Sequence, residues 1–440
     1  MTVRYGIAGA TASAIAGSIE AGIRDGRLAS GAAVPAVRAL AARLRVSPST
    51  VAAAYRTLTG RGLLQADGRR GTRVRHRPPL PTRASATVPA HVRDLANGSP
   101  NPALLPSLRA ALATIDPQPR SYGERADLPE LLRLAAERLA HDGIPADALA
   151  VVGGALDGIE RALQAHLRPG DRIAIEDPGY PGVIDLVAAL GLVPEPVALD
   201  DAGMVPDALA RALHRRVAAC IVTPRAQNPS GAALDAARAG ELRRLLKKHP
   251  DVLVIEDDHA GPVAGTPAST LCDAERARWV VARSVSKSLG PDLRLAVLSG
   301  DAATIARVEG RQLIGAGWVS HVLQRLVASF WADAATSALV ARAAAAYTAR
   351  RAELIAALAR HGVAAHGRSG LNVWVPVPEE VPVVRSLLAA GYAVNAGERY
   401  RIASGPAIRI TITTLDADEV APLAAAVAAS LAPARRTHSP

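Results

Sequence analysis

A single lysine stands between two serines in the segment SVSKSLGPDLR, residues 284–294. It is Lys287, and the chain has only two other lysines although Lys and Arg together number 51. A lysine at the end of a buried strand is costly unless its amine is used, and a desolvated amine with a lowered pKa can form a Schiff base. Ser284, Ser286 and Arg294 add two hydroxyls and a guanidinium, which together suit a phosphate group. The segment therefore predicts an amine nucleophile beside a phosphate site.

Further polar motifs follow other apolar segments. Asp257 comes at the end of VLVIEDD, where an aspartate can pair with a protonated pyridine nitrogen. Asn228 in QNPSG offers an amide on a turn, and Tyr180 in EDPGYP offers a flat ring that can stack on another ring. In VVGGALDG two glycines lead from a strand into a helix, whose first amides can hold phosphate oxygens. Those amides lie near Gly154, Ala155 and Leu156.

Each of these motifs also has a simpler structural interpretation. A pair of glycines before a helix is usually a tight turn, and NPSG is a common turn sequence. Asp257 is compatible with a helix cap, and Tyr180 with a core or surface position. The order of the motifs, completed by the lysine segment, favours one shared site over these separate interpretations.

The elements that would position these residues begin at about Asp94. Strand-like segments alternate there with Ala/Leu-rich helices; the strand segments are ALAVVGG, DRIAIEDP, AACIVTP, DVLVIEDD and RWVVARS. This alternation is typical of a parallel α/β sheet with helices on both sides. Ligands of such sheets bind at the C-terminal ends of the strands, and every polar motif falls at such an end.

The N-terminal region differs sharply from this body in charge. Residues 1–83 contain fourteen arginines and only three acidic residues, so the whole net charge of +11 lies there and the remainder is neutral. Such a one-sided charge indicates a small nucleic-acid-binding module on a neutral body. A solvated arginine-rich face is the alternative.

The pattern of this region favours a DNA-binding fold. Helical spacing predicts a first helix that ends near Gly26 and a second that begins at Pro35. Ser47 is suited to cap a third helix that begins at Pro48. The segment LLQADGRRGTRVRHR predicts two short strands around a Gly-rich turn. Three helices followed by a β-wing form a winged helix-turn-helix, whose third helix enters the major groove.

The segment from PAVRALAARLRV to GRRGTRV resembles the DNA-binding domain of GntR-type regulators over its whole length. Many relatives have arginine where this chain has Pro48 and Ala52, which removes two of their contacts. For Ser47, helix capping alone is the alternative to a base contact. The resemblance implies that double-stranded DNA is contacted by Arg38, Ser47, Ser49, Thr50, Arg70 and Gly71.

Composition and length narrow the protein class further. At 440 residues and 49% hydrophobic content the chain is expected to be a globular, cytoplasmic protein without a signal peptide or membrane span. Its two cysteines, Cys220 and Cys272, have no metal-ligand spacing, and no metal site is expected. We expect residues 1–76 to form the DNA-binding domain and the Pro/Ala-rich residues 77–92 to form a linker. The body, 93–440, would include a smaller α+β subdomain over 320–435.

The body motifs together resemble fold-type-I aminotransferases, which bind pyridoxal 5′-phosphate. The resemblance implies that Lys287 forms the imine with the cofactor's aldehyde and Asp257 pairs with the ring nitrogen. It implies that Asn228 bonds the phenolic oxygen and Tyr180 stacks on the ring. The expected phosphate ligands are Ser284, Ser286, Arg294 and the amides of Gly154, Ala155 and Leu156.

Three further residues follow from the same resemblance. Tyr122 in SYGERADLPELL matches a tyrosine that reaches the partner subunit's phosphate, which implies a homodimer. Arg409 in AIRITITTLDADE matches an arginine that clamps a carboxylate. His259 stands where relatives have a tyrosine that bonds the phenolic oxygen, and a histidine titrates near neutral pH. A surface histidine without a role is the alternative for His259.

A GntR-type domain fused to an aminotransferase-like body is the architecture of the MocR/GabR family of transcription regulators. Within this family the sequence resembles the PtsJ-like branch most, and that branch is associated with vitamin B6 metabolism. The segments that carry this resemblance are VVGGALDGIERAL, EDPGYP, TPRAQNPSG and RSVSKSLGPDLRLA. The resemblance implies a DNA-binding regulator that senses a small amine, an amino acid or a B6 vitamer. A true aminotransferase that carries a DNA-binding domain, and a repressor with an inactive body, are the alternatives.

Overall fold

The computed structural model describes most of the chain as two compact units, and each is considered by itself. The first contains the N-terminal helices, and the second contains most of the remaining chain, which we call the body. The described residues are 6–24, 27–29, 31–60, 63–66, 71–74, 88–116, 118–119 and 121–432.

The N-terminal unit has three helices and a short antiparallel β-hairpin. The helices are α1 (Ala12–Arg24), α2 (Val37–Leu44) and α3 (Pro48–Gly60), and the strands are β1 (Leu64–Ala66) and β2 (Thr72–Val74). Helices α1 and α2 both pack on α3 around a core that includes buried Ile15, Leu40, Val51, Tyr55 and Leu58. This arrangement is a winged helix-turn-helix, as the sequence predicted.

One helix boundary in this unit was predicted wrongly. Helix α2 begins at Val37 rather than at Pro35, because Ala36 has an extended backbone with ψ of 144°. The carbonyl of Pro35 instead accepts a hydrogen bond of 2.6 Å from the hydroxyl of Tyr55 on α3. The contact between Tyr55 and Pro35 thus takes the place of the helical turn that was predicted to begin at Pro35.

The body is built from short strands and amphipathic helices. Its helices are α4 (Leu108–Thr114), α5 (Pro129–His141), α6 (Ala155–His166), α7 (Pro181–Ala189), α8 (Pro206–His214), α9 (Ala236–Lys247), α10 (Ala302–Leu313), α11 (His321–Ala332), α12 (Ala334–Arg360), α13 (Glu380–Ala389) and α14 (Ala417–Leu431). Its strands are β3 (Arg93–Asp94), β4 (Leu149–Val152), β5 (Arg172–Asp177), β6 (Val193–Asp200), β7 (Gly203–Met204), β8 (Ala219–Val222), β9 (Leu253–Asp258), β10 (Trp279–Ser284), β11 (Ala296–Gly300), β12 (Asn372–Pro376), β13 (Tyr392–Ala393), β14 (Asn395–Ala396) and β15 (Ala407–Thr411).

The main sheet has eight strands in the order β4-β11-β10-β9-β8-β5-β6-β7. All five strand segments predicted from the sequence are present in it. The sheet is mixed rather than wholly parallel as predicted, because β11, a strand that the sequence did not predict, runs antiparallel to both β10 and β4. The connection from Ser284 to Ala296 is too short for the helical crossover that a parallel neighbour requires.

Separate apolar cores cover the sheet and the C-terminal part of the body. One core joins α8 and α9 to the sheet through Leu209, Leu242 and Val254. Another joins α5 and α11 to it through Leu131 and Leu326. The three-stranded sheet β12-β15-β14 packs with α12, α13 and α14 as a smaller α+β layer with its own core. None of the helices in the described ranges combines the length and apolar character that a membrane crossing requires.

Candidate functional site

Lys287 lies in the turn that follows β10 and is half-buried. Its Nζ donates a hydrogen bond of 2.7 Å to the carbonyl of Gly98. Burial and the neighbouring positive charge of Arg409 lower the pKa of this amine to about 8, although Asp257 opposes the shift. The lysine therefore carries an amine that is partly uncharged at neutral pH, as a nucleophile requires.

Asp257 lies inside β9 and is only 4% exposed. Its Oδ1 is buried and has no hydrogen-bond partner, which excludes the helix-cap interpretation for that atom. Burial, followed by the charges of Asp258 and Glu176, raises the pKa of Asp257 to about 7. A buried acceptor without a partner is costly and suits a donor supplied by a ligand.

Asn228 and Arg409 form a pair on the same side of the site. The Nη1 of Arg409 donates to Oδ1 of Asn228 at 3.1 Å, and its Nη2 donates to the carbonyl of Ala96. The guanidinium lies 5.1 Å from the ring centroid of Tyr400 and is buried, which lowers the pKa of Arg409. The Nε of Arg409 is also buried and lacks a partner. A buried guanidinium with an unpaired donor is suited to the carboxylate of a ligand.

The predicted phosphate ligands come from two turns. A Cβ atom added to Gly154, which has φ of +108°, would lie 3.1 Å from Nη2 of Arg294, so the guanidinium closely approaches this backbone. Ala155 begins α6 directly after Gly154, so its amide belongs to the unsatisfied first turn of that helix. In the other turn, the Oγ of Ser284 lies 3.0 Å from the Oγ of Ser286.

Tyr180 follows the end of β5, and His259 follows the end of β9. Tyr180 is half-buried, and its ring lies beside Gly182 together with the side chain of Leu156. His259 is also half-buried, so it is not a free surface residue. Burial and the charge of Lys287 lower the pKa of His259 to about 4. The pKa of His259 is thus displaced from the near-neutral range of an unperturbed histidine.

Tyr122 lies apart from these residues within one chain. It is 92% exposed, and its ring packs edge-on against Trp318 at a centroid distance of 5.7 Å. The nearby Leu313 and Ile314 are 65% and 86% exposed. Tyr122, Leu313 and Ile314 are therefore large apolar side chains that a single chain leaves exposed, as interface residues often are.

The candidate DNA surface centres on the N-terminus of α3. The Oγ of Ser47 accepts a hydrogen bond of 3.1 Å from the amide of Thr50, so Ser47 caps the helix. The same oxygen lies 2.8 Å from Oγ of Ser49 and 2.7 Å from Oγ1 of Thr50. Arg38 and Gly71 are exposed, while Arg70 lies outside the described residues. The hydroxyl cluster is thus already bonded internally, and Arg38 offers an exposed charge.

Two family models match the chain. Residues 90–427 match the aminotransferase class I and II family, and residues 11–74 match the bacterial regulatory proteins of the gntR family. The chain is 39% identical over 422 residues to the vitamin B6 salvage pathway transcriptional repressor PtsJ of Salmonella typhimurium, covering 95% of this chain and 98% of that protein. The chain belongs to the MocR/GabR-type transcription regulators.

Two more relatives extend the comparison of this MocR/GabR-type chain. It is 28% identical to the pyridoxine biosynthesis regulator PdxR of Corynebacterium glutamicum, over 71% of each chain. The kynurenine aminotransferase of Pyrococcus horikoshii has a TM-score of 0.71 at 21% identity, covering 78% of this chain and 91% of that one. The latter likeness shows the fold-type-I aminotransferase fold alone.

The MocR/GabR-type site contains groups that the sequence did not single out. Glu176 and Asp177 at the end of β5 are both buried and accept several hydrogen bonds each. Tyr400 lies against Arg409, and Gly98 accepts from Lys287. The acidic pair ED in EDPGYP was the one available signal, because a charge at a strand end requires a partner.

A second group missed from the sequence is a buried ion cluster beneath the strand ends. Asp258 binds Arg225 with two contacts of 3.0 Å and also lies 2.5 Å from Nε of Arg283. Asp142 contacts both arginines, at 2.9 and 2.8 Å. The two guanidinium groups hold the pKa of Asp258 well below its usual range. Asp258 therefore stays charged beside Asp257.

The residues fit pyridoxal 5′-phosphate in three independent ways. The orphaned Oδ1 of Asp257 matches a pyridinium donor, and the Gly154–Arg294 approach forms a cationic cradle at a helix start. The amine of Lys287 has the lowered pKa that imine formation needs. Among the described residues, no group of three or more side chains is arranged to hold a metal ion.

The lowered pKa of Lys287 gives a direct prediction. The uncharged amine is the reactive form, so acetylation of Lys287 by a trace amount of acetic anhydride should rise with pH and reach half its maximum near pH 8. In the urea-unfolded protein, acetylation of the same peptide should reach half its maximum at about pH 10.4, because the ordinary pKa of lysine has that value. Peptide mass spectrometry measures both curves, and identical midpoints would contradict the prediction.

Arg38 provides a prediction for the DNA surface. The substitution Arg38→Ala should weaken binding to operator and non-operator DNA alike. We expect Arg38 to contact a phosphate, and a phosphate contact does not select sequence. The slope of log affinity against log salt should fall in magnitude by about 0.9. Fluorescence anisotropy at several salt concentrations measures the slope. Arg133→Ala, which removes an exposed arginine of α5 in the body, is the control and should leave the slope unchanged.

Proposed function

We propose that this protein is a DNA-binding regulator of vitamin B6 metabolism whose body binds pyridoxal 5′-phosphate at Lys287. The observation that carries the proposal is the convergence of Lys287, Asp257 and the Asn228–Arg409 pair in a chain that also has a GntR-type domain. The names of two relatives, one in B6 salvage and one in pyridoxine biosynthesis, support the choice of metabolic field.

Each residue of the site has a definite task in this proposal. Pyridoxal 5′-phosphate supplies an aldehyde that condenses with a primary amine. Lys287 offers that amine, and Asp257 accepts from the ring nitrogen, whose positive charge would favour the ionised carboxylate. Arg294 and the first amides of α6 hold the phosphate. In this proposal Asn228 and neutral His259 would bond the phenolic oxygen, and Tyr180 would stack on the ring.

The Arg409 side of the site is suited to an effector with a carboxylate. Arg409 is only 4% exposed, so its charge interacts with a ligand through a weakly screened environment. A small amine, an amino acid or a B6 vitamer that displaces Lys287 would change the contacts of this region. For sensing, such an effector must bind two conformations of the body with different affinity.

A homodimer is part of the same proposal. Tyr122 and Ile314 are 92% and 86% exposed, and a second copy of the chain would cover them. Tyr122 would then reach the phosphate held by the partner subunit. Sedimentation of the intact protein tests the dimer, and Ile314→Glu should shift it toward monomer because the new charge would be buried.

Operator binding tests the function as a whole. Affinity of the intact protein for its promoter DNA, measured by anisotropy at one fixed salt concentration, should change several-fold when pyridoxal 5′-phosphate is added. The control ligand is 4′-deoxypyridoxine 5′-phosphate, which has the ring and phosphate but no aldehyde, and it should produce no comparable change. An unchanged affinity with the vitamer and with candidate amines would contradict the sensing role.

Turnover measurements address the enzymatic alternative. A regulator should convert the cofactor at most once when an amino donor is added, whereas an aminotransferase also regenerates it with a keto acid over many cycles. Absorbance spectroscopy with L-alanine alone follows the single conversion of the cofactor. The amount of pyruvate formed from L-alanine in the presence of 2-oxoglutarate measures multiple turnover, because this donor and this acceptor give different products. Efficient multiple turnover would replace the proposed regulatory role by catalysis.

A further inference from the structure

Two adjacent carboxylates at the end of β5 each organise one half of the Asn228–Arg409 pair. Successive side chains of a strand point to opposite sides, so Glu176 and Asp177 face different parts of the body. Both are buried, at 6% and 5% exposure. Buried carboxylates without cationic partners are costly unless several donors converge on them.

Glu176 holds the turn that carries Asn228. It accepts from the amide and the hydroxyl of Thr223, at 2.9 and 2.8 Å, and from Nε2 of Gln227 at 3.1 Å. Gln227 also donates to the carbonyl of Pro178 at 2.8 Å. Asn228 is the next residue in the chain, so its position is fixed from β5.

Asp177 holds a loop of the C-terminal layer. Its two oxygens accept from three successive amides, those of Ile402, Ala403 and Ser404, at 2.8 to 2.9 Å. The hydroxyl of Ser404 adds a fourth bond of 2.8 Å. A run of amides converging on one anion is a strong anchor for a loop.

The anchored loop continues directly into the Arg409 environment. Tyr400 stands just before it, and its carbonyl accepts from the amide of Gly179 at 2.6 Å. The Tyr400 ring supports the guanidinium of Arg409, and β15, which contains Arg409, begins shortly after Ser404. The loop is therefore tied to β5 on one side and supports Arg409 on the other.

We infer that Asp177 is a positioning residue of the effector site, which fastens the 402–404 loop to β5 and thereby sets the distance between Arg409 and Asn228. The inference rests on the proposed function. It predicts that Asp177 governs recognition of an effector's carboxylate and leaves attachment of pyridoxal 5′-phosphate to Lys287 unaffected. Asp177 itself does not touch the effector.

A substitution of nearly identical shape tests this role. Asp177→Asn turns one acceptor oxygen into an NH₂ group that faces amide donors, so at least one of the four bonds is lost and the loop loosens. In the unliganded protein, trypsin should cleave after Arg399 and Arg401 about tenfold faster than in the wild type, because the loop opens more often. Asp301→Asn is the matched control, since Asp301 also accepts two backbone amides, those of Trp279 and Thr304 at 2.9 Å, far from this loop.

Ligand recognition gives the second readout. The intact protein loaded with pyridoxal 5′-phosphate is titrated with L-alanine and with ethylamine, which share the amine and differ in the carboxylate. The wild type should prefer L-alanine, and Asp177→Asn should lower that preference about tenfold with little change for ethylamine, as expected for a misplaced charged hydrogen bond. Ser404→Ala, which removes one of the four bonds, should lower it less.

The outcomes distinguish failure of the positioning role of Asp177 from failure of the proposed function. A loaded Asp177→Asn protein with wild-type preference for L-alanine and wild-type cleavage would overturn the positioning role alone. A wild type without any preference for the carboxylate would overturn it as well. Failure of the wild type to take up pyridoxal 5′-phosphate would overturn the proposed function together with the inference built on it.

Discussion

Replacing Lys287 by alanine is expected to abolish the covalent attachment of pyridoxal 5′-phosphate completely. The described chain offers no second lysine with this environment, since Lys247 is exposed on α9 and Lys248 follows it. After borohydride reduction, mass spectrometry should find the pyridoxyl group on the Lys287 peptide of the wild type and nowhere in Lys287→Ala. The absorbance band of the imine should disappear in parallel.

The matched control for that experiment is Lys247→Ala, which removes one of three lysines without touching the site. It should retain the full adduct and the full absorbance. Lys287→Ala should also lose the response of operator affinity to the vitamer, while keeping the basal affinity that the N-terminal unit supplies. A stoichiometric adduct on another residue of Lys287→Ala would refute the assignment of the amine.

Disrupting the buried ion cluster is expected to have the largest effect on stability. In Asp258→Ala the guanidinium groups of Arg225 and Arg283 lose one of the two carboxylates that they share and keep the other, Asp142. Removing one partner of a buried charge network costs about 3–5 kcal/mol in the free energy of unfolding. Guanidinium denaturation measured by circular dichroism gives this value.

A surface pair of the same chemistry provides the comparison. Asp200 binds Arg238 through two contacts of 2.9 and 2.7 Å, yet the side chain of Asp200 is 48% exposed. Asp200→Ala should therefore cost less than about 1 kcal/mol. Equal losses for the two variants would mean that burial does not control the contribution of Asp258.

The parts of the fold that were predictable from the sequence are those with a local signal. Strand segments such as VLVIEDD and the cap at Ser47 depend on neighbours within a few residues, and both are present as predicted. The antiparallel direction of β11 depends on the short connection after β10, and the alternation of strands and helices does not indicate it. The start of α2 depends on Tyr55, twenty residues away from Pro35, and no local pattern carries that contact.

The residues of the candidate site also differ in whether a local sequence signal marks them. Lys287 and Asp257 stand in segments whose composition is itself unusual, so the sequence identified them. Gly98 and Asp177 act through partners more than a hundred residues distant, which are Lys287 and Ser404. Tyr400 supports Arg409, nine residues away, but no sequence motif marks it. Their importance arises only when the C-terminal layer meets the strand ends of the main sheet, which a single sequence does not reveal.

The antiparallel direction of β11 has a mechanical consequence. Because β11 runs antiparallel to β10, it starts beside the end of β10, and the short loop between the two strands carries both Lys287 and Arg294. A short closed loop has little entropy to lose, so both cations are preorganised together rather than gathered from separate regions. Any shift of that loop would move Lys287 and Arg294 together, so the imine and phosphate contacts of the vitamer would change at the same time.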